Sequence, residues 1–169
     1  MKLVFVAAFA VGLVLVQSCG DDNSPTCTKE VAADKLAAVD KTRLAADIQA
    51  IDLYLSTNGI SAQSEPNGVR YVVKTPGTGI TPCLESSIKV KTTGTLLKTG
   101  FEFQPDLEFT TRLSGLILGW QLVLPLIPAG STLTLYIPSG YGYGVNGGGG
   151  GKIPANANLI FEIYMSSVN

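Results

Sequence analysis

The fold is decided by the stretch Ile137-Pro-Ser-Gly-Tyr-Gly-Tyr-Gly-Val-Asn-Gly-Gly-Gly-Gly-Gly-Lys-Ile-Pro-Ala-Asn-Ala-Asn-Leu-Ile-Phe-Glu-Ile-Tyr164. A β-strand is expected to end at Ile137, because Pro138 has no backbone N–H with which to continue a ladder. The glycine-rich loop that follows can take positive φ angles, and it carries Tyr141 and Tyr143. A second strand is expected over residues 159–165, whose apolar side chains alternate onto one face. Both tyrosines should therefore lie at the rim of whatever the strands enclose.

This order of pieces resembles the FKBP family, the macrolide-binding peptidyl-prolyl isomerases. In that family a strand ending in Ile-Pro is followed by a tyrosine–glycine loop, then by Ile-Pro-Pro-Asn-Ala and a strand with Leu-x-Phe. Here the loop reads Tyr141-Gly-Tyr143-Gly144, and the later piece reads Ile153-Pro-Ala-Asn-Ala-Asn-Leu-Ile-Phe161. The resemblance extends upstream to Gly68. It therefore covers most of the chain after its N-terminal third.

Two upstream motifs strengthen the resemblance. Gly100-Phe-Glu-Phe-Gln104 is similar to the family's Gly-x-x-Phe-Asp, and Leu116-Ile-Leu-Gly-Trp120 matches its Val-Ile-x-Gly-Trp. The second motif should form one short helix over residues 116–124, ended before Pro125. An FKBP-type domain is therefore predicted over residues 67–169.

The pattern of strands predicts the fold class independently. Alternating apolar residues indicate strands over residues 69–73, 88–97, 109–113 and 131–137, and strands outnumber helices with no β-α-β alternation. This is an α+β pattern, an antiparallel sheet wrapped over one short helix. The family fold that the resemblance implies is the same, a twisted half-barrel with its binding pocket between helix and sheet.

Composition excludes several classes of function. The net charge of the 169 residues is −1, so nothing points to a nucleic-acid partner. The chain has no histidine, which removes imidazole bases, serine–histidine triads and most catalytic zinc sites. No metal and no cofactor are expected.

The N-terminus reads as a targeting segment. Lys2 supplies a positive charge, and the apolar residues 3–16 are too few to span a bilayer, which needs about 20. The run ends Leu15-Val-Gln-Ser-Cys19, which resembles a bacterial lipobox and implies lipid attachment to Cys19; an ordinary signal peptide is the alternative. We predict a lipoprotein signal peptide over residues 1–18 and a lipidated tether over residues 19–28. The lipid would anchor the protein in the bacterial envelope, at the outer membrane.

Two further cysteines, Cys27 and Cys83, remain. An envelope compartment is oxidising enough for a disulfide between them. Sequence alone does not show whether their Cα atoms come within about 7 Å, so a disulfide and two free thiols both stay open.

Residues 29–66 are predicted to be a helical extension and a linker. Residues 29–58 contain no proline and end at Asn58-Gly59, a plausible helix stop. Within them an apolar stripe follows helical spacing: Leu44, Ile48, Ile51 and Leu55. The stripe either docks on the domain, or makes the helix a spacer, or forms a homodimer. The helix at residues 116–124 is apolar nearly all round, so we expect this stripe or a second subunit to cover its outer face.

The resemblance also implies a substrate pocket. Trp120 would be its floor, and the Ile117 backbone N–H and the Tyr143 hydroxyl would donate to ligand carbonyls. The walls would be Phe103, Phe109, Leu116, Ile117 and Phe161. Each of these residues taken singly could instead be ordinary core. The sequence departs from the family at Thr92, where relatives carry a wall tyrosine, and at Gln104, where they carry an aspartate.

The activity implied is isomerisation of X-Pro bonds in proline-containing envelope or secreted clients. Rotation about a peptide bond meets a barrier of about 18–20 kcal/mol, although the two X-Pro isomers are nearly equal in energy. A pocket that binds the twisted amide more tightly than the planar one would therefore act as a catalyst without acid, base or metal. A non-catalytic module for binding proline peptides, or a chaperone, on the same fold is the alternative.

Overall fold

A computed structural model describes residues 27–169. The predicted signal peptide, the lipidation at Cys19 and most of the predicted tether lie outside the described residues. Within residues 27–169, no helix is both long and apolar enough to cross a membrane.

The described part of the chain contains three α-helices and six β-strands, together with short 3-10 helices. The helices are α1 (Ala33–Ala37), α2 (Lys41–Thr57) and α3 (Leu118–Val123). The strands are β1 (Gln63–Ser64), β2 (Arg70–Thr75), β3 (Ser87–Leu96), β4 (Glu102–Arg112), β5 (Thr132–Ile137) and β6 (Leu159–Val168). They form one antiparallel sheet in the order β1-β2-β5-β6-β3-β4. The predicted α+β class is confirmed.

The inner face of the sheet packs on α3. Because side chains alternate across a strand, β5 and β6 each turn an apolar row to this side. The buried residues of that row are Leu133, Leu135, Ile137, Leu159, Phe161, Ile163 and Met165. Trp120, Val123 and Leu124 of the helical segment join the same core cluster. The main core therefore lies between α3 and the sheet, and β3 adds Ile88 and Val90 to it.

The outer face of the sheet is covered by α2. Ile51 and Leu55 are buried in a second cluster with Tyr136, which points away from α3. The rings of Tyr54 and Tyr136 lie 6.1 Å apart. The expectation that the stripe of α2 covers the outer side of α3 is therefore wrong for Ile51 and Leu55. Of the three alternatives for this stripe, the structure shows docking on the chain's own sheet.

The outer side of α3 is covered instead by the N-terminal segment. Val31 and Leu36 share the main core cluster with Leu122 of α3. The segment is secured by a disulfide between Cys27 and Cys83, whose Cα atoms lie 5.1 Å apart.

The predicted helix over residues 29–58 is interrupted. It divides into α1 and α2 at Asp40, whose carboxylate accepts hydrogen bonds from the backbone N–H groups of Thr42 and Arg43 at 2.9 and 3.0 Å. An aspartate here satisfies the free N–H groups of the new helix start, so the break is encoded locally. The end of α2 just before Asn58-Gly59 agrees with the predicted stop.

Strands β4 and β6 are longer than expected, and the linker is partly ordered. Residues 109–112 belong to the eleven-residue strand β4, and Leu113 begins a short 3-10 helix. β3 runs continuously through a register shift at Gly94. In the linker, β1 pairs with β2, and the buried Glu65 accepts hydrogen bonds from the backbone and the side chain of Asn67.

Candidate functional site

Four aromatic rings meet on the inner face of the sheet. Trp120 projects from α3 and meets Phe161 of β6 edge to face, with ring centroids 5.3 Å apart. Phe103 of β4 meets Phe161 in the same way at 5.6 Å, and Phe109 stacks on Trp120 at 6.4 Å. Edge-to-face and offset-stacked pairs at these distances are the favoured arrangements of aromatic rings. The structure therefore brings together all four aromatic residues that the sequence assigned to the floor and walls; we call them the aromatic cluster.

A glycine in β3 makes room for two of these rings. A Cβ atom at Gly94 would lie 2.6 Å from the Phe103 ring and 2.9 Å from the Phe161 ring, far inside normal contact. Gly94 also sits at the register shift of β3 and pairs with both Gln104 and Phe161. Absence of a side chain at this position thus lets the rings of two strands approach each other across a third strand.

The residues at the centre of the aromatic cluster are buried from solvent, whereas those at its edge are only half-buried. Trp120 is only 2% exposed, and Phe103 and Phe161 are also buried. Phe109, Leu116 and Ile117 are half-buried and pack against the core. The side chains at the edge of the cluster are therefore more accessible to solvent than the indole of Trp120.

The loop over residues 139–156, here the Tyr143 loop, carries the two tyrosines in different environments. Tyr141 is 1% exposed and belongs to the main core, so its predicted place at the rim is wrong. Tyr143 is 37% exposed, and its ring lies against Gly148, where a Cβ atom would come within 2.6 Å of it. Desolvation raises the pKa of the Tyr143 hydroxyl above its ordinary value of about 10, so it remains a hydrogen-bond donor at neutral pH.

Two polar atoms at the aromatic cluster are buried without partners. Thr92 lies on β3 between Val90 and Gly94, on the face that looks toward the cluster, and its hydroxyl has no hydrogen bond. The indole N–H of Trp120 is likewise unpaired among the described residues. Such groups retain bonding capacity for a ligand or a water molecule.

The carboxylates of β4 point away from the aromatic cluster. Glu108 forms an ion pair with Lys89 at 2.8 Å, and Asp106 forms one with Lys91 at 3.0 Å, both on the exposed side of β3 and β4. Gln104 is half-buried, so the position at which relatives carry an aspartate holds a neutral amide here. Within residues 27–169, no cluster of three or more potential metal ligands occurs.

One polar group that sequence reasoning missed lies behind the Tyr143 loop. Asp47 of α2 is 2% exposed and accepts hydrogen bonds from both the backbone N–H and the hydroxyl of Ser139. The available signal was an aspartate placed within the helical stripe, three residues after Leu44 and four before Ile51.

Comparisons with known proteins agree with this geometry. A sequence model of the family described as FKBP-type peptidyl-prolyl cis-trans isomerase matches residues 80–166, about half of the chain. The outer membrane protein MIP of Legionella longbeachae is 37% identical over 106 residues, which cover 61% of this chain and 45% of the Legionella protein. FK506-binding protein 1B of Neurospora crassa is 33% identical over 112 residues, which cover 60% of this chain and 98% of the relative.

A solved structure supports the same fold. The crystal structure of a peptidyl-prolyl cis-trans isomerase from Pseudomonas syringae pv. tomato superposes with a TM-score of 0.65 at 29% identity. The match covers 76% of this chain and 95% of the other. The chain thus shares one whole domain with some relatives, whereas it spans less than half the length of the Legionella protein.

Proposed function

Because the chain belongs to the FKBP-type peptidyl-prolyl cis-trans isomerase family, we propose that it accelerates cis–trans isomerisation of X-Pro bonds. The observation that carries this proposal is the convergence of Trp120, Phe161, Phe103 and Phe109 on the inner face of the sheet. An apolar hollow with few placed polar groups is the usual form of a site for a small hydrophobic ring.

The chemistry requires selective binding of a twisted amide. Amide resonance creates the rotational barrier of about 18–20 kcal/mol, and twisting the bond removes this resonance and shrinks the dipole of the carbonyl. An apolar surface that grips the proline ring and strips water from the carbonyl destabilises the planar form relative to the twisted one. Binding energy that appears mainly in the twisted state lowers the barrier.

We assign roles on this basis. Trp120 is the floor under the proline ring, and Phe103, Phe109 and Phe161 form its walls together with Leu116 and Ile117. The Ile117 N–H, just before α3, makes no backbone hydrogen bond within the described residues and is free to donate to a substrate carbonyl. The Tyr143 hydroxyl is the second donor.

The experiment is a refolding-limited proline isomerisation assay. Trp120→Leu should lower kcat/KM by about 30-fold, the size of effect typical of a central tryptophan in a binding site. Tyr143→Phe should lower it by about two- to tenfold, the range for one hydrogen bond. Tyr164→Phe, an exposed tyrosine on β6, is the matched control and should leave the rate unchanged. Equal activity in wild type and all variants would point to a contaminating isomerase and contradict the proposal.

We further propose that the clients are proline-containing envelope or secreted proteins, and that a lipid on Cys19 anchors the chain to the outer membrane. The Legionella relative is named as an outer membrane protein, and the disulfide of Cys27 and Cys83 suits an oxidising compartment; both support this proposal. Cys19→Ala should move the protein from the membrane to the soluble envelope fraction. The α2 stripe is occupied by the chain's own sheet, so a homodimer through it is not part of the proposal.

A second candidate is binding of proline peptides without catalysis. It is favoured by Thr92 and Gln104, which replace a tyrosine and a charged side chain at the walls. In the same assay this alternative predicts that a proline peptide binds, quenching or enhancing the fluorescence of Trp120, while the isomerisation rate stays at its uncatalysed value.

A further inference from the structure

We propose that Asp47, acting with Arg43, is a positioning residue for Tyr143, because this pair on α2 holds both ends of the Tyr143 loop. The inference rests on the proposed function in assigning Tyr143 a role in the reaction. It extends that function to the N-terminal helix, which lies outside the residues matched by the family model.

The first end of the loop is held by Asp47. Its Oδ2 atom accepts a hydrogen bond from the Ser139 backbone N–H at 3.0 Å and another from the Ser139 hydroxyl. The same N–H also lies 2.9 Å from the side-chain oxygen of Asn158. Ser139 opens the single helical turn that ends at Tyr141, so its position fixes the direction in which the chain enters the tyrosine segment.

The second end is held by Arg43. Its Nε atom pairs with Asp47 Oδ1 at 2.9 Å, and its Nη2 atom donates to the backbone carbonyl of Asn156 at 2.8 Å. The N–H of Asn156 in turn donates to the carbonyl of Gly144 at 2.8 Å. Gly144 directly follows Tyr143. One ion pair on α2 therefore reaches the chain on both sides of this tyrosine.

Burying the Asp47 carboxylate costs free energy, and this cost indicates that Asp47 serves to position the Tyr143 loop. Asp47 is almost completely buried, and a buried carboxylate is tolerated only where donors surround it. The same helix is also fastened to the sheet by Asp52, which pairs with Arg70 at 2.8 Å while remaining exposed. Docking of α2 thus does not require a buried charge. The buried pair is directed at the Tyr143 loop, whereas the exposed pair is directed at β2.

The loop itself needs such support. It contains glycine at positions 140, 142, 144 and 147–151, and glycine restricts the backbone least of all residues. Without a fixed frame, the Tyr143 hydroxyl would sample many positions, and a small misplacement of a catalytic group lowers the rate strongly. We call the Asp47–Arg43 pair and its contacts with Ser139 and Asn156 the clamp. Loss of the clamp should therefore lower turnover by displacing the Tyr143 hydroxyl, and it should leave the aromatic cluster intact.

The test compares Asp47→Asn with Asp52→Asn, the matched control on the same helix. Asp47→Asn should lower kcat/KM by about two- to tenfold, no more than Tyr143→Phe does, and Asp52→Asn should lower it by less than twofold. In the Tyr143→Phe background, Asp47→Asn should lower kcat/KM by no more than a further twofold, because the hydroxyl that it positions is already absent. Equal effects of Asp47→Asn in both backgrounds would show a general structural role and overturn the inference.

Ser139→Ala covers the case in which Asp47→Asn does not fold. It removes one of the two hydrogen bonds that Ser139 donates to Asp47 and should give a smaller loss of the same kind. Amide hydrogen exchange gives an independent readout: the N–H groups of Tyr141 and Gly142 should exchange faster in Ser139→Ala and Asp47→Asn than in Asp52→Asn. Unchanged exchange would refute the clamp. If the wild type shows no isomerase activity, the proposed function fails, whereas exchange still tests the clamp.

Discussion

The two faces of the sheet differ in how their polar groups are satisfied. On the inner face, Thr92 and Trp120 carry buried polar atoms without partners beside the aromatic cluster. On the outer face, α2 brings Asp47 and Asp52, each paired with an arginine, and one buried hydroxyl, that of Thr134, has no partner. Unused bonding capacity is costly unless a ligand or water uses it, and only on the inner face does it lie beside the aromatic cluster, so the inner face has the character of a site. The outer face is the surface on which α2 packs, and this packing supports the sheet that carries the site.

The largest expected effect on stability comes from weakening the packing of α2 on the outer face. Ile51 is completely buried between α2 and the outer face, so Ile51→Ala should lower the free energy of unfolding by about 2–5 kcal/mol. Leu53, on the same helix and 68% exposed, is the control, and Leu53→Ala should change stability little. Denaturant titration measures both. A comparable loss in the two variants would mean that the outer face is not a packed interface.

The next largest effect on stability concerns the N-terminal segment that covers α3. This segment packs on neither face of the sheet. Changing both Cys27 and Cys83 to serine should lower the free energy of unfolding by about 2–4 kcal/mol, because the disulfide restricts the unfolded chain. It should also let Val31 and Leu36 lift from Leu122 and expose apolar surface. Binding of a hydrophobic dye to the folded variant measures this. Dye binding equal to that of the wild type would show that the segment stays in place without the bond.

A smaller effect separates the unpaired polar atoms of the two faces. Thr92→Val on the inner face and Thr134→Val on the outer face each remove a buried, unpaired hydroxyl. Each should raise the free energy of unfolding by about 1 kcal/mol, as measured by thermal unfolding. Only Thr92→Val should weaken the binding of a proline-mimicking macrolide, since only Thr92 faces the aromatic cluster. Weaker binding in both variants would remove the distinction between the faces.

The smallest effect is expected from pH. Burial raises the pKa of Tyr143 in the Tyr143 loop and of Tyr136 at the outer face above the value of about 10 in the unfolded chain. The folded state therefore holds these protons more tightly, and their contribution to stability is complete below pH 10 and lost as pH rises further. The isomerisation rate should stay constant between pH 6 and about 9. A fall within that window would mean that another group titrates at the site.

The inner face could be predicted from the sequence for a physical reason. Its residues sit in short motifs, such as Leu116-Ile-Leu-Gly-Trp120, in which the local element and the direction of each side chain are fixed together. Gly94 also has a local structural reason, because the rings of Phe103 and Phe161 fill the space next to it that a side chain would occupy. Tyr141 was misplaced because a tyrosine between glycines has the same local sequence whether it faces the core or the rim.

The outer face could not be predicted in the same way. An apolar stripe on a helix shows that one side is buried, but it does not identify the surface that buries it. The sequence therefore offers either this stripe or a second subunit as the cover for α3, and the structure places Ile51 and Leu55 on the sheet instead. Asp47 is not identified from the sequence because Ser139, whose N–H and hydroxyl donate to it, lies 92 residues further along the chain. The disulfide was left open for the same reason, since the proximity of Cys27 and Cys83 depends on the whole fold.

The most direct test of the account uses the fluorescence of Trp120, the only tryptophan in the chain, during titration with a proline-mimicking macrolide. If the inner face is a proline-binding cup, the signal should change saturably with one site. Tyr143→Phe should weaken the binding, and Tyr136→Phe on the outer face should not. The account would be contradicted if the indole fluorescence did not respond to the macrolide. It would also be contradicted if Tyr143→Phe and Tyr136→Phe weakened macrolide binding equally.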